Sequence, residues 1–170
     1  MQKMARVALS VTLLTGLLAL HGCAALNRTP PSVGDPEATV TAKFGQPTAV
    51  YGVPDGRILE YATGPFGQYT HIARIGADGR LVSFEQVLTG EKFATLKIDK
   101  ATRDDVLHTI GRPAERSYLA LPKLEVWSYR YKESGVWNSM MHVHFDRAGV
   151  LRMMQNGPDP MYEEKRSFMD

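Results

Sequence analysis

The sequence predicts an α+β fold made of two repeated units, each a short helix packed on an antiparallel β-meander. Three observations predict it. Two helix-like segments, residues 35–47 and 102–113, both close on Gly-x-Pro, with Val40, Phe44, Gly45 and Pro47 falling on Val106, Ile110, Gly111 and Pro113 at an offset of 66. Four short strand-like runs separated by turn residues follow each Gly-x-Pro. Matches then persist down the chain: Tyr61 falls on Tyr129 at an offset of 68, and Ile75, Gly79 and Leu81 fall on Phe145, Gly149 and Leu151 at 70. Two small loop insertions account for the drift, so the chain reads as an internal duplication.

The repeat begins only after a leader. Lys3 and Arg6 precede an apolar run from Val7 to Leu20, and Gly22 precedes Cys23, the single cysteine of the 170 residues. Charged start, apolar middle and small-residue end are the parts of a secretory signal. The run of 14 residues is too short for an ordinary membrane-spanning helix, which needs about 20. A lone cysteine in an exported chain has no partner within the chain. Leu20-His21-Gly22-Cys23 resembles a bacterial lipobox, with His21 departing from the usual small or β-branched residue. That resemblance implies that residues 1–22 are a lipoprotein signal peptide, that Cys23 is the lipidation site, and that the mature chain hangs from a membrane by its acylated N-terminus. Ala24 rather than Asp after the cysteine points to the outer membrane under the enterobacterial sorting scheme. Residues 23–34 read as a tether, stiffened by Pro30-Pro31.

The first unit, residues 35–97, opens with Asp35 as helix cap and Pro36 in the first helical position. Val40 and Phe44 form an i,i+4 apolar pair on one helix face. Gly45 and Pro47 end the helix. Strands are expected over 49–53, 57–63, 69–75 and 81–88, with turns at Pro54-Asp55-Gly56, Gly64-Pro65-Phe66-Gly67 and Ala77-Asp78-Gly79. Residues 89–99 read as the connection. The second unit, residues 98–160, repeats the pattern. Thr102 caps the helix with Asp105 in a capping-box position, Val106 and Ile110 form the apolar pair, and strands are expected over 115–119, 124–131, 140–145 and 150–155. Each unit is too small for comfortable independent stability, so the two are expected to pack together. Residues 161–170 form a charged tail.

A lipobox followed by helix, Gly-x-Pro and meander resembles the BamE (SmpA/OmlA) lipoproteins of outer-membrane β-barrel assembly. The signature residues are Phe44-Gly45-Gln46-Pro47 and Ile110-Gly111-Arg112-Pro113. The body is also similar to the tandem fold of β-lactamase-inhibitor proteins, which carry two such units. The Gly-Met-Thr lead-in of the first family is replaced here by Asp99-Lys100-Ala101-Thr102, and that family has one unit rather than two. The resemblances imply a non-enzymatic protein-interaction module on the periplasmic face of the outer membrane, serving β-barrel assembly or envelope integrity with a barrel-assembly component as partner. The alternative they imply is a binder or inhibitor of a periplasmic enzyme.

The residues themselves carry little catalytic signal. There is no Gly-x-Ser-x-Gly, no phosphate-cradling glycine loop and no His-Glu-x-x-His. No cofactor and no metal is expected. Removing the leader brings Lys+Arg from 20 to 18, equal to the 18 Asp+Glu, so no basic field favours nucleic acid. His142 and His144 share one strand face, with Met141, Val143 and Phe145 facing inward; no third ligand stands nearby, and both imidazoles are expected outward. Phe66, Tyr69 and Trp137 are the partner-binding candidates, because aromatic residues at hairpin bends suit recognition. The competing reading is that Phe66 and Trp137 fold back to cover two small cores.

Overall fold

A computed structural model describes residues 29–163, and the folded body begins at Pro31. Its elements run α1 (Glu37–Phe44), β1 (Ala49–Val53), β2 (Gly56–Ala62), β3 (Thr70–Gly76), β4 (Leu81–Gln86), α2 (Gly90–Thr95), α3 (Arg103–Ile110), β5 (Glu115–Leu119), β6 (Leu124–Glu133), β7 (Trp137–Phe145) and β8 (Leu151–Pro158). The strands form two antiparallel four-stranded sheets, ordered β1-β2-β3-β4 and β5-β6-β7-β8.

The duplication extends to details of backbone pairing. Pro36 bridges Arg80 in the first half, and Thr102 bridges Val150 in the second. Glu37 N–H donates to Gly79 O at 3.1 Å, and Arg103 N–H donates to Gly149 O at 3.1 Å. Each helix is thereby tied by its N-terminus to the last hairpin of its own sheet. The register slips by one residue between Arg74 and Ile75, and again between His144 and Phe145. An irregularity of this kind bends a sheet locally, so both sheets bend at the same place.

Sequence reading and structure part over the unit itself. Sheet dominates, the helices are only six to eight residues long, and the α+β unit of one helix on one meander does not describe the fold. The reason lies in what each helix buries. Only Val40 of α1 is fully buried, in a cluster with Leu59, Tyr61, Ala73, Ile75 and Leu81, so strand residues supply most of that core. Helix α3 serves two sheets. Val106 and Ile110 pack with Trp127, Tyr129, Val143 and Phe145 of the second sheet. Its other side meets the first: Arg74 Nη2 donates to His108 O at 2.8 Å, and the Tyr51 and His108 rings lie 5.4 Å apart. The connector is also structured. It forms α2, capped by Thr89, and adds Leu88, Phe93 and Leu96 to the core of the second sheet.

Capping differs between the copies. Thr102 and Asp105 form a reciprocal capping box on α3. Helix α1 has Pro36 at its N-cap and no side-chain cap. Asp35 instead accepts from Ser32 N–H at 2.9 Å and pairs with Lys43 at 3.2 Å. Both helices stop at glycines with φ of 86° and 80° and extended ψ, a region almost restricted to glycine. At Gly111 a side chain would also run into the Glu60 carboxyl and Thr70.

Ile110→Ala is expected to cost about 2–5 kcal/mol, the usual loss for a buried large-to-small change, read by chemical denaturation. Phe44→Ala should cost less, because Phe44 is only half-buried, against Tyr61 and Phe84.

Candidate functional site

The two halves meet along a polar seam. The β2–β3 bend reaches the β6–β7 hairpin through Gln68 Nε2, which donates to Asn138 Oδ1 at 2.9 Å. Arg130 Nη1 donates to Pro65 O of the same bend at 3.3 Å. Farther along, Arg112 N–H donates to Glu60 Oε2 at 3.2 Å, and beside it, within the second half, Tyr129 O–H donates to Gly111 O at 3.1 Å.

The aromatic candidates lie on these two bends. Phe66 is 67% exposed, Tyr69 45% and Trp137 69%. None of the three folds back over a core. The bends that carry them are brought together by the Gln68–Asn138 bond, since Gln68 lies next to Tyr69 and Asn138 next to Trp137. The first bend is tightly knit: Tyr69 O accepts from both Thr63 N–H, at 3.1 Å, and Thr63 Oγ1, at 2.8 Å. Gly67 packs so closely on Thr63 that a side chain there would clash. The bend is therefore already ordered by its own hydrogen bonds.

Beside the bends lies a cleft of about 290 Å³, with Glu60, Arg112, Arg130, Thr70 and Tyr129 among its lining residues. Glu60 is fully buried. Its Oε2 accepts from Tyr51 O–H at 2.6 Å and from Arg112 N–H, while Oε1 has no partner among the described residues. Burial, and then the hydrogen bond to Glu60, push the Tyr51 phenol up to about 12. The Arg130 side chain, 8% exposed, pairs with Glu115 at 2.7 Å and with the buried Asp159 at 3.2 Å. Sequence reading passed over both Glu60 and Arg130. The signal was present: each is a charged residue inside an apolar strand run, Ile58-Leu59-Glu60-Tyr61 and Tyr129-Arg130-Tyr131, and charges are seldom buried without a partner.

The strand histidines depart from expectation. His142 lies within 2.8 Å of Ser128 Oγ through Nδ1, and His144, expected outward, is 97% buried at 3% exposure. Neither ring nitrogen of His144 has a partner among the described residues. Burial, reinforced by the charge of His142, holds its pKa below the ordinary 6.5. No group of three metal-ligating side chains occurs among the described residues. Cys23, the leader before it and the end of the charged tail lie outside the described residues.

No protein-family model matches the chain, and no curated protein matches it. Two solved structures are similar in fold at a distance. One is a DUF4309 family protein, YjgB, from Bacillus subtilis, 13% identical, covering 74% of this chain and 79% of that one with a TM-score of 0.32. The other bears the description "putative beta-lactamase inhibitor protein" and comes from Streptococcus mutans. It is 16% identical over 78% of this chain and 88% of that one, with a TM-score of 0.31. Neither is described as a BamE protein, and likeness this distant carries no functional argument.

Because His71 and His144 both have pKa values lowered by burial, the folded state favours their neutral forms. Their contribution is complete above the unfolded value of 6.5 and is lost as pH falls below it. Urea midpoints should therefore decline between about pH 7.5 and pH 5.5. His144→Leu should flatten that decline, and an unchanged slope would show that His144 does not contribute to it.

Proposed function

We propose that this chain is a lipid-anchored envelope protein that acts by binding another protein through the aromatic side chains of its two joined hairpin bends. The observation that carries the reading is the exposure of Phe66, Tyr69 and Trp137 on bends held by backbone and side-chain hydrogen bonds. A small domain without a disulfide gains by burying such rings, and leaving them in water favours their use at an interface. The lipobox at Cys23 supports attachment to a membrane surface, with the residues between Cys23 and Pro31 as the spacer before the body. The resemblance to BamE lipoproteins directs the search for the partner to the β-barrel assembly machinery of the outer membrane.

Two experiments test the reading. Phe66→Ser with Trp137→Ser should leave the denaturation midpoint nearly unchanged, because both rings are largely exposed, and should reduce recovery of the partner from crosslinked envelopes. Undiminished recovery would place the binding surface elsewhere. Intact-mass measurement of the mature chain should show an acylated N-terminal Cys23, and Cys23→Ser should abolish acylation; an unmodified thiol in the mature wild type would remove the anchor.

A further inference from the structure

The end of the second sheet opposite the Trp137 bend carries charges that the duplication does not require. An open cleft of about 440 Å³ lies there, among the start of α3, the edge strand β5 and the β7–β8 turn. Its charged lining residues are Arg103, Arg116, Lys123, Arg147, Glu125 and Asp146. Both carboxylates are already used. Glu125 accepts from Arg103 Nε at 2.8 Å through Oε2 and from Trp127 Nε1 at 2.6 Å through Oε1. Asp146 accepts from Val150 N–H at 3.0 Å through Oδ1 and from Arg152 Nε at 2.8 Å through Oδ2. Arg116, Lys123 and Arg147, all exposed, make no ion pair or side-chain hydrogen bond among the described residues. Arg116 is held all the same, with its guanidinium carbon 4.4 Å from the centre of the buried Trp127 ring. That contact uses its face and leaves its in-plane N–H donors open. The first copy serves as an internal control. Its helix-to-strand ion pair has the signs exchanged: Glu37 with Arg57, at 2.8 Å, stands where Arg103 meets Glu125. The three free cations are not repeated. Val50 pairs with Leu59 as Arg116 pairs with Trp127. Asp55 precedes β2 as Lys123 precedes β6, and Ala77 stands two residues before Gly79 as Arg147 stands before Gly149. The unit therefore folds without these cations, and gathering like charges from three separate segments costs repulsion.

We infer that this cleft binds a phosphate monoester, with the in-plane N–H groups of Arg116 gripping its oxygens and Lys123 and Arg147 completing the neutralisation. Among the lining side chains four positive charges face two negative ones. A phosphate monoester carries a charge of about −1.5 to −2 at pH 7, which balances that excess where a single carboxylate would not. A planar guanidinium fixed on an aromatic face suits bidentate contact with phosphate oxygens. A soluble phosphate ester and a phosphate monoester in a lipid headgroup share this chemistry. The inference does not depend on the aromatic bends binding a partner, since the cleft lies at the start of β6 and the end of β7, away from Trp137 at the other end of that hairpin.

The test is an amide chemical-shift titration of the whole mature chain in phosphatidylcholine nanodiscs, at matched ionic strength, with ethyl phosphate and, separately, with dimethyl phosphate, its isomer with a single negative charge. A chain that does not enter the discs is titrated in solution in the same way. Ethyl phosphate should move the amides of Arg116, Lys123 and Arg147 in a saturable way. Dimethyl phosphate should bind roughly tenfold or more weakly, a factor equivalent to about 1.4 kcal/mol. Lys123→Gln with Arg147→Gln should weaken ethyl phosphate by a similar factor and leave the denaturation midpoint unchanged, because both side chains are exposed. Discs that also contain phosphatidic acid separate the sources. Loss of the response to ethyl phosphate there would mark a lipid headgroup as the ligand, and an undiminished response would mark a soluble ester. Tighter binding of acetyl-Asp-Asp-amide, which has two carboxylates, would assign the cleft to an acidic protein segment and overturn the inference. Equal response to the two phosphates, full affinity in the double variant, or shifts without saturation would overturn it too.

Discussion

Helix α3 touches both sheets at once, and the rest of the body depends on that. Val106 and Ile110 complete the core of the second sheet, while His108 and the turn after the helix meet the first sheet through Tyr51, Arg74 and Glu60. Each half has only about 60 residues, a size at which independent stability is marginal. The first sheet's core is small, with Val40 the only fully buried helix residue behind it. Sharing one helix joins the first sheet to the second through Arg74, Tyr51 and His108 without lengthening the chain.

That arrangement explains where the polar groups sit. A helix end pressed against a second sheet must have its backbone groups satisfied. Tyr129 O–H closes on Gly111 O, Arg74 on His108 O, and Glu60 on Arg112 N–H. Gly111 is needed because a side chain is strained at its φ of 80° and would press on Glu60. The same seam leaves one oxygen of Glu60 unsatisfied beside a cleft, and it brings the two aromatic bends together. Structural need and candidate function therefore occupy one junction.

Much of this was legible in the sequence, and the part that was not has a physical cause. The Gly-x-Pro repeats, the strand runs and the Thr102–Asp105 capping box are local signals, written within a few residues of where they act, and the eight strands lie close to where alternation and turns placed them. Layering is not local. Nothing in residues 103–110 states which sheet their other side will meet, so the sequence yields two helix-and-meander units that pack together, and not one helix shared between two sheets. The connector helix α2 was missed because six residues give too short a window for periodicity. Asp35 looked like a cap but found Ser32 N–H and Lys43. Glu60 and Arg130 were visible as charges within apolar strands, and only the pairing of distant segments reveals what they face.

The central claim is that the two sheets form one cooperative structure through α3. Native-state hydrogen exchange of the mature chain, followed against low concentrations of denaturant, tests it most directly. The account predicts that the slowest amides of β2 and β3, at Leu59, Ile72 and Ala73, exchange with the same free energy and the same denaturant dependence as those of β6 and β7, at Trp127, Tyr129 and Val143. Exchange of the β2 and β3 amides through a separate, lower-energy opening, with the second sheet still protected, would contradict it.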